Sequence, residues 1–489
     1  MKKLILFQFV FLLLISTTFA QHEILWTKTF GGSNSDGAKD IINTLDGGYA
    51  LAGFTYSYGA GNCDMYLVKT DADGNMEWEK TFGGDGWDFA YALVQTEDAG
   101  FLLVGYTTSF GSQDKDIYLV KTDADGNEEW TKRYGGELAE TGRDIAKTSD
   151  GGFIICGDIE TGSAGENDLY IIKIDDAGNE QWNSKYGDEL PEWGNSIMQT
   201  PDGGYITAGC GYSFDSGNMD FYVIKTDAQG IEEWSEHYSD GPYDWANSIV
   251  RSDDGNYFVA GNGDGDDDMM GMRIAKIDAT GDKKWIRSVS EGTKHDYCND
   301  MIPITNGVIL CGSSKDPNTM ENKLYLSQVT NSATIMWKTI YDTPGIANGN
   351  AVLGADDGCI IVAGQTSGDG AGSFDVWLVK VNASITTDIT DETNTLVKDF
   401  QLYQNTPNPF NPSTIIKFTI RNECSVSLKI YNINGELVST LIDEVKGAGD
   451  YSINWNGKDN AGRSVSSGIY FYKLAADNTS LTKKMTLLK

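Results

Sequence analysis

Apolar and polar positions alternate along most of this chain in short runs, and no useful length falls into the spacing of an amphipathic helix. Residues Glu77 to Phe82, Phe89 to Gln95, Phe101 to Thr107 and Asp116 to Lys121 illustrate the runs, which are rich in β-branched and aromatic side chains and bounded by Gly and Asp. Each predicts a strand. The set of four then recurs. Tryptophans stand at Trp26, Trp78, Trp130, Trp182, Trp234, Trp285 and Trp337, at spacings of 52, 52, 52, 52, 51 and 52, so seven copies of one unit fill residues 21–382. Asp46-Gly47-Gly48, Asp150-Gly151-Gly152 and Asp202-Gly203-Gly204 join the second and third runs of their copies, where Asp-Gly supplies the positive φ angles of a tight hairpin. Four antiparallel strands in each of seven repeats predict an all-β chain built on a seven-bladed β-propeller.

The phase of the repeat carries a resemblance. Lys69-Thr70-Asp71-Ala72-Asp73-Gly74-Asn75-Met76-Glu77-Trp78 resembles the tryptophan-docking segment of quinoprotein-like and WD40-like propeller repeats, with a spacing one residue shorter. The resemblance implies that the tryptophan lies on the outermost strand of a blade. Ile24 to Phe30 would then be an outer strand whose partners lie in residues 347–381, and the start of the chain would complete the seventh blade and remove a free sheet edge. Only architecture is implied. No adjacent Cys-Cys pair is present, and the sialidase Asp box fails because Gly74 lies four residues before Trp78.

Charge narrows the partners. Lys and Arg number 37 against 71 Asp and Glu, a net charge of -34, which repels nucleic acid and anionic membranes. Residues 400–489 hold 10 basic and 7 acidic residues, so the acidity belongs to the repeats. At the start, Lys2 and Lys3 precede an apolar run from Leu4 to Ile15 and a small-residue cleavage pattern at Thr18-Phe19-Ala20. That order predicts a signal peptide over 1–20 and an exported mature chain beginning at Gln21. No later stretch has the ~18 to 20 apolar residues of a spanning helix. Seven scattered cysteines without a C-x-x-C pair argue against a zinc or dithiol site, and Cys156 and Cys311 fall inside apolar strand patterns.

The repeats predict one uniform face and one variable face. The Asp-Gly-Gly turns and the Asp71-Ala72-Asp73-Gly74-Asn75 links repeat closely, whereas the other connections differ from copy to copy, and binding resides on variable loops. On the variable side an acidic residue recurs before the second strand at Asp36, Asp88, Glu140, Glu192, Asp244 and Asp296, and a further step of 52 reaches Asn348. The following positions are Gly37, Phe89, Thr141, Trp193, Trp245, Tyr297 and Gly349. These columns predict a ring of carboxylates at a channel mouth, with Phe89, Trp193, Trp245 and Tyr297 offering faces for sugar rings. The plainer reading makes the acids caps of loop N–H groups and the aromatics packing between blades.

Metal and catalytic signals are thin. The internal links replace the second acid by Ala177, Gln229 and Thr280 while keeping the glycine, which fits a turn better than a calcium loop. Asp264, Asp266 and Asp268 form the candidate calcium loop, with a solvated acidic loop as the plainer account, and no cofactor is otherwise expected. Of the histidines His22, His237 and His295, only His295 lies beside a ring acid, and no Ser-His-Asp order with a nucleophile elbow is present.

Residues 383–399 read as a Thr- and Asp-rich linker, and a small immunoglobulin-like β-sandwich is expected over 400–489. Gln404-Asn405-Thr406-Pro407-Asn408-Pro409-Phe410-Asn411-Pro412, Ile430-Tyr431-Asn432, Trp455-Asn456-Gly457, Ser467-Gly468-Ile469-Tyr470 and the Lys483-Lys484-Met485-Thr486-Leu487-Leu488-Lys489 end resemble the C-terminal sorting domain of type IX secretion substrates. Similar sequences occur in the immunoglobulin-like domain of the flagellar hook-capping protein. The sorting resemblance implies the type IX machinery as a partner, removal of this domain, and release or attachment at the outer membrane surface.

These readings combine into an expectation. The chain is read as a secreted or cell-surface binding or adhesion protein for a polysaccharide or another polar ligand, with a surface protein as a further partner class. A carbohydrate-active enzyme using two ring carboxylates is the rival, and a structural surface protein the third reading.

Overall fold

The structure is a computed structural model that describes residues 22–487 except 111–113, 162–166, 188–189, 214–216, 240, 265–269, 291–294, 316–319, 356, 369, 384–399, 403–404, 406–407, 409, 421–423, 433–436, 448, 461 and 477–478. The expected leader at 1–20 and most of the expected linker at 383–399 lie outside the described residues. Two compact units divide the chain, Met1–Thr393 and Asn394–Lys489.

In the first unit the described residues form seven four-stranded antiparallel sheets. The first sheet runs Asp36–Asn43, Tyr49–Thr55, Asp64–Thr70 and Met76–Phe82. The second repeats it as Asp88–Gln95, Phe101–Thr107, Asp116–Thr122 and Glu128–Tyr134. The seventh holds Ala347–Gly354, Ile360–Thr366 and Asp375–Asn382, and its outer strand is Glu23–Phe30 from the start of the chain. Thr27 pairs with Val379 and Phe30 with Val376, as the phase of the repeat predicts. All seven sheets are therefore consistent with propeller blades.

The first strand of each sheet touches the first strand of the next, from Asp36–Asn43 through Asp88–Gln95, Glu140–Lys147, Glu192–Gln199, Asp244–Arg251 and His295–Ile304 to Ala347–Gly354. Contacts then return to the beginning: Asn350 Nδ2 donates to Ala38 O (2.7 Å), and Asp36 N donates to Phe374 O (2.8 Å). Every inner strand bulges at the same place, between Ala38 and Asp40 in the first and between Ala90 and Ala92 in the second. A glycine on the neighbouring strand permits it. A Cβ on Gly105 would lie 1.7 Å from Phe89 O, so only glycine fits opposite that strand.

Between sheets the core is apolar: Leu102, Val104 and Leu119 of the second pack with Ile145, Ile155 and Ile172 of the third. Near the uniform turns a buried lysine recurs. Lys121 Nζ lies 2.9 Å from Asp98 and 2.7 Å from Glu129, and it donates to Thr122 O (2.9 Å), so burial of the ammonium is matched by two carboxylates.

The second unit contains two sheets, one ordered Phe400–Leu402, Thr414–Ile420, Gly449–Trp455 and the other Leu437–Lys446, Cys424–Asn432, Gly468–Ala476, Thr479–Leu487. Trp455, Phe418, Tyr472 and Phe410 fill its core. The motif before the first long strand is bonded into the fold. Asn405 Nδ2 donates to Thr414 Oγ1 (2.9 Å), Asn408 Oδ1 accepts Thr486 N (2.9 Å), and Phe410 N donates to Thr486 O (2.9 Å).

Candidate functional site

Backbone bonds identify the two faces. Tyr56 N donates to Ser35 O (3.0 Å), Asp88 N to Cys63 O (2.8 Å) and Thr108 N to Trp87 O (2.8 Å), which gathers loops 56–63 and 83–87 and residues 108–110 at one end of the inner strands. This is the variable end. The Asp-Gly turns lie at the other, where Leu45 N donates to Gln95 Oε1 of the next sheet (2.8 Å).

The acidic column stands at that variable end but does not open onto it. Asp36, Asp88, Glu140, Glu192, Asp244 and Asp296 are between 0 and 5% exposed. Asp36 accepts Gly32 N (2.8 Å), Ser57 Oγ (2.7 Å) and Thr55 Oγ1. Asp88 accepts Gly84 N and Ser109 Oγ, both at 2.8 Å. Asp244 accepts Ser239 Oγ (3.0 Å). These side chains hold loops in place, the pattern expected of polar groups that satisfy buried backbone donors.

A second acidic column, absent from the sequence reading, lies against the first. Asp64 Oδ1 and Asp88 Oδ2 sit 2.4 and 2.5 Å from where a Cβ on Gly83 would be, and Asp116 Oδ1 and Glu140 Oε2 sit 2.4 and 2.9 Å from that point on Gly135. Like charges so placed favour the protonated form. Burial first, and then Asp116, push Glu140 up to about 7 against the pull of the Gly136 N–H.

Asn348 requires a correction. It pairs with Gln365, while Ala347 pairs with Thr366 in the register where Asp36 pairs with Thr55. The seventh acidic position is therefore Ala347, because the step from Asp296 is 51 residues, and Asn348 shares the register of Phe89, Trp193, Trp245 and Tyr297. Those four aromatics are half-buried. Phe89 alone among them joins a ring cluster, and the described residues show no ring-to-ring contact for Trp193, Trp245 or Tyr297.

The bulge pushes out one further side chain per sheet, and this column makes the set of inner strands asymmetric. In four sheets it is asparagine. Asn195, Asn247, Asn299 and Asn350 donate to Ala246 O, Cys298 O, Gly349 O and Ala38 O at 2.7 to 2.8 Å, tying each inner strand to the next. In the first three sheets the same place holds Lys39, Tyr91 and Arg143. Beneath them, Asp40 Oδ2 accepts Leu93 N (2.9 Å), Asp144 Oδ2 accepts Ile197 N (2.8 Å) and Asp300 Oδ2 accepts Val352 N (2.9 Å). Burial pushes Asp144 up to about 6 despite its N–H donors, and raises Asp40 well above the usual carboxylate range.

Along the first two sheets the aromatic rings form a continuous shelf. Phe54 lies 5.1 Å from Phe89, which stacks on Tyr106 at 5.3 Å; Tyr56 meets Trp87 edge-on at 5.7 Å. Trp87 is 43% exposed. Three cations border the shelf: Lys39 5.7 Å from the Phe54 centroid, Lys115 4.6 Å from Tyr106, and Arg143 5.9 Å from Tyr91. Arg143 is also paired with Asp158, Nε to Oδ1 2.5 Å. Only Phe89 of this group is legible from the acid-plus-one column. Lys39, Tyr91 and Arg143 become visible when the acid-plus-three column is read in sevens, as Lys, Tyr, Arg and then four Asn, whereas Phe54, Tyr56, Trp87, Tyr106 and Lys115 fall in neither column.

Among the described residues no three His, Cys, Asp or Glu side chains are placed to share an ion. Asp264 N donates to Tyr243 O (2.9 Å) and Asp264 O accepts Arg273 Nη2 (2.7 Å), while Asp266 and Asp268 lie outside the described residues. His295 Nδ1 accepts Met270 N (3.1 Å), His237 packs on Tyr222 (4.8 Å) and His22 on Trp337 (3.9 Å). The Asp71 link behaves as a turn, its Oδ1 accepting Asp73 N (2.9 Å) and Asn75 N (2.8 Å). All seven cysteines are buried, and none is joined in a disulfide. No helix of the described residues is long and apolar enough to cross a membrane.

Comparison with known proteins adds one family. Residues 413–480 match the FlgD Ig-like domain. No curated protein matches the chain. Among solved structures, PorZ, a surface component of the type IX secretion system of Porphyromonas gingivalis, is similar at 13% identity and a TM-score of 0.41, over 94% of this chain and 60% of that one. The chain thus spans about 60% of the length of PorZ. A fungal alcohol oxidase of the AA5 family aligns at 13% identity and a TM-score of 0.45, over 96% and 100% of the two chains. A protein of unknown function from Dyadobacter fermentans aligns at 11% identity and a TM-score of 0.43, over 74% and 99%. None of these likenesses bears on activity.

Proposed function

We propose that this chain is an exported seven-bladed β-propeller whose channel mouth recognises an extracellular polysaccharide, with the C-terminal unit serving type IX sorting to the cell surface. The aromatic shelf carries the reading. Phe54, Tyr56, Trp87 and Phe89 present a run of rings at the variable end, backed by the buried Tyr106, beside a channel wall that is otherwise tied up by asparagine amides. Flat apolar faces with polar rims suit pyranose rings. The rival enzyme reading loses its working parts, since the six column carboxylates are buried beneath the loops.

The sorting part of the reading rests on the motif residues and on the FlgD Ig-like match at 413–480. The intact mature protein, passed over a panel of immobilised polysaccharides with released oligosaccharides measured by mass spectrometry, tests recognition. Retention without product is expected, and Trp87→Ala should release it. Product formation would return the enzyme reading, and retention unchanged by Trp87→Ala would move the site away from the shelf.

A further inference from the structure

Lysines buried in this fold come with carboxylates. Lys69, Lys121 and Lys225 each sit within 3.1 Å of two acidic side chains, as expected for ammonium groups removed from water in a chain with 71 acids and 37 bases. Lys39 breaks that rule. It is half-buried on the innermost strand of the first sheet, and among the described residues it makes no hydrogen bond and no ion pair. Its recorded neighbour is the face of Phe54 at 5.7 Å, and burial lowers its pKa below the usual lysine range.

The position also forgoes a structural bond. Asparagine at the same place in four other sheets ties one inner strand to the next, as Asn350 does to Ala38 O (2.7 Å). Lysine at position 39 makes no such tie, and the inner strands of the first two sheets keep the bond from Leu93 N to Asp40 Oδ2 (2.9 Å), whose equivalent in the sixth sheet, Val352 N to Asp300 Oδ2, stands beside an asparagine tie. A cation kept without a partner, where a neutral amide would strengthen the fold, is explained by a negative charge that arrives from outside.

We infer that Lys39 receives the anionic group of an acidic polysaccharide, a carboxylate or a sulfate, whose sugar rings lie along Phe54, Phe89 and Trp87. This inference rests on the reading of the shelf as a polysaccharide site and adds charge selectivity to it. Lys115, 4.6 Å from the buried Tyr106 on which Phe89 stacks, stands at the other end of that line of rings. A polymer carrying an acid on successive residues therefore meets a cation at either end of the shelf. The net charge of -34 repels polyanions elsewhere on the molecule, so retention of one must be local.

Calorimetric titration of the intact protein with dextran, dextran sulfate and polygalacturonate tests the inference. At least one anionic polymer should bind about tenfold or more tightly than dextran, Lys39→Met should lose about tenfold of that affinity, and Lys39→Arg should restore it. Dextran sulfate or polygalacturonate as the preferred polymer assigns sulfate or carboxylate as the group received. Binding of the anionic polymer unchanged in Lys39→Met, or dextran bound as tightly as dextran sulfate, would overturn the charge selectivity and leave the shelf reading standing provided Trp87→Ala still weakens binding. Binding of none of a wide panel of polymers would overturn both. Because Lys39 has no partner, the melting temperature of Lys39→Met should equal or exceed that of the parent; a lower one would make Lys39 a structural residue and defeat the inference.

Discussion

The indole of Trp78, on the outer strand of the first sheet, lies against the Cα of Gly126 in the turn of the second. A Cβ on Gly126 would come within 2.6 Å of Trp78 Cζ3, and Gly126 has φ of +75°. The same contact joins Trp26 to Gly74, Trp130 to Gly178 and Trp182 to Gly230. Trp26, Trp78, Trp130 and Trp182 are thus fasteners between successive sheets, and the glycine of each of these links is required twice, for backbone conformation and for room.

Gly126→Ala should therefore destabilise the fold by about 1 to 3 kcal/mol, combining a left-handed backbone penalty with displacement of the indole. Urea unfolding followed by tryptophan fluorescence measures it. A loss below about 0.5 kcal/mol, the level of an ordinary surface change, would show that the ring moves aside freely.

The link beside that glycine distinguishes a turn from a cation loop. Asp123 Oδ1 accepts the N–H groups of Asp125 (2.9 Å) and Asn127 (2.8 Å), whereas the Asp125 side chain is exposed. Asp123→Ala should lower the melting temperature and Asp125→Ala should leave it unchanged, with and without added calcium. A calcium-dependent rise abolished by both substitutions would make the link a metal site.

Stability should depend on pH through the buried acids. Burial raises Glu140 to about 7 and Asp144 to about 6. Groups whose folded pKa exceeds the unfolded one bind more protons in the native state, so stability falls as pH rises through the interval between the two values. The melting temperature should therefore decline from pH 5 to pH 8, and Glu140→Gln should flatten the decline. A curve that rises across that interval would contradict the burial of these groups.

Trp87 is the exposed end of the shelf, so Trp87→Ala should leave the melting temperature within a degree or two while weakening polysaccharide binding by roughly tenfold, the scale of one lost stacking platform. Loss of both fold and binding would instead place the ring in the core.

Sheets, repeat phase and the pairing of Ile24 to Phe30 with the far end were legible because the tryptophan column and the glycine turns recur in every copy. The site was less so. Strand alternation puts Asp36 and Gly37 on opposite faces, but the bulge before Asp40 interrupts that alternation, and pattern alone does not reveal which residue of Lys39 and Asp40 it pushes outward. Burial of Asp88 follows from Gly84 N and Ser109 Oγ, donors from two loops far apart in sequence. Asn348 was misplaced because the last step of the column is a residue short, a change absorbed in a loop while strand register stayed fixed by Gly349 opposite Gly364.

The seventh sheet takes three strands from the end of the repeats and one, Glu23–Phe30, from their beginning. During synthesis that segment emerges first and finds its neighbour Asp375–Asn382 last, so the ends of the repeat array cannot join until the whole array has been made. Through all that time its backbone donors and acceptors stand open to any passing strand. An exported chain held extended until it has crossed the inner membrane would be spared that interval.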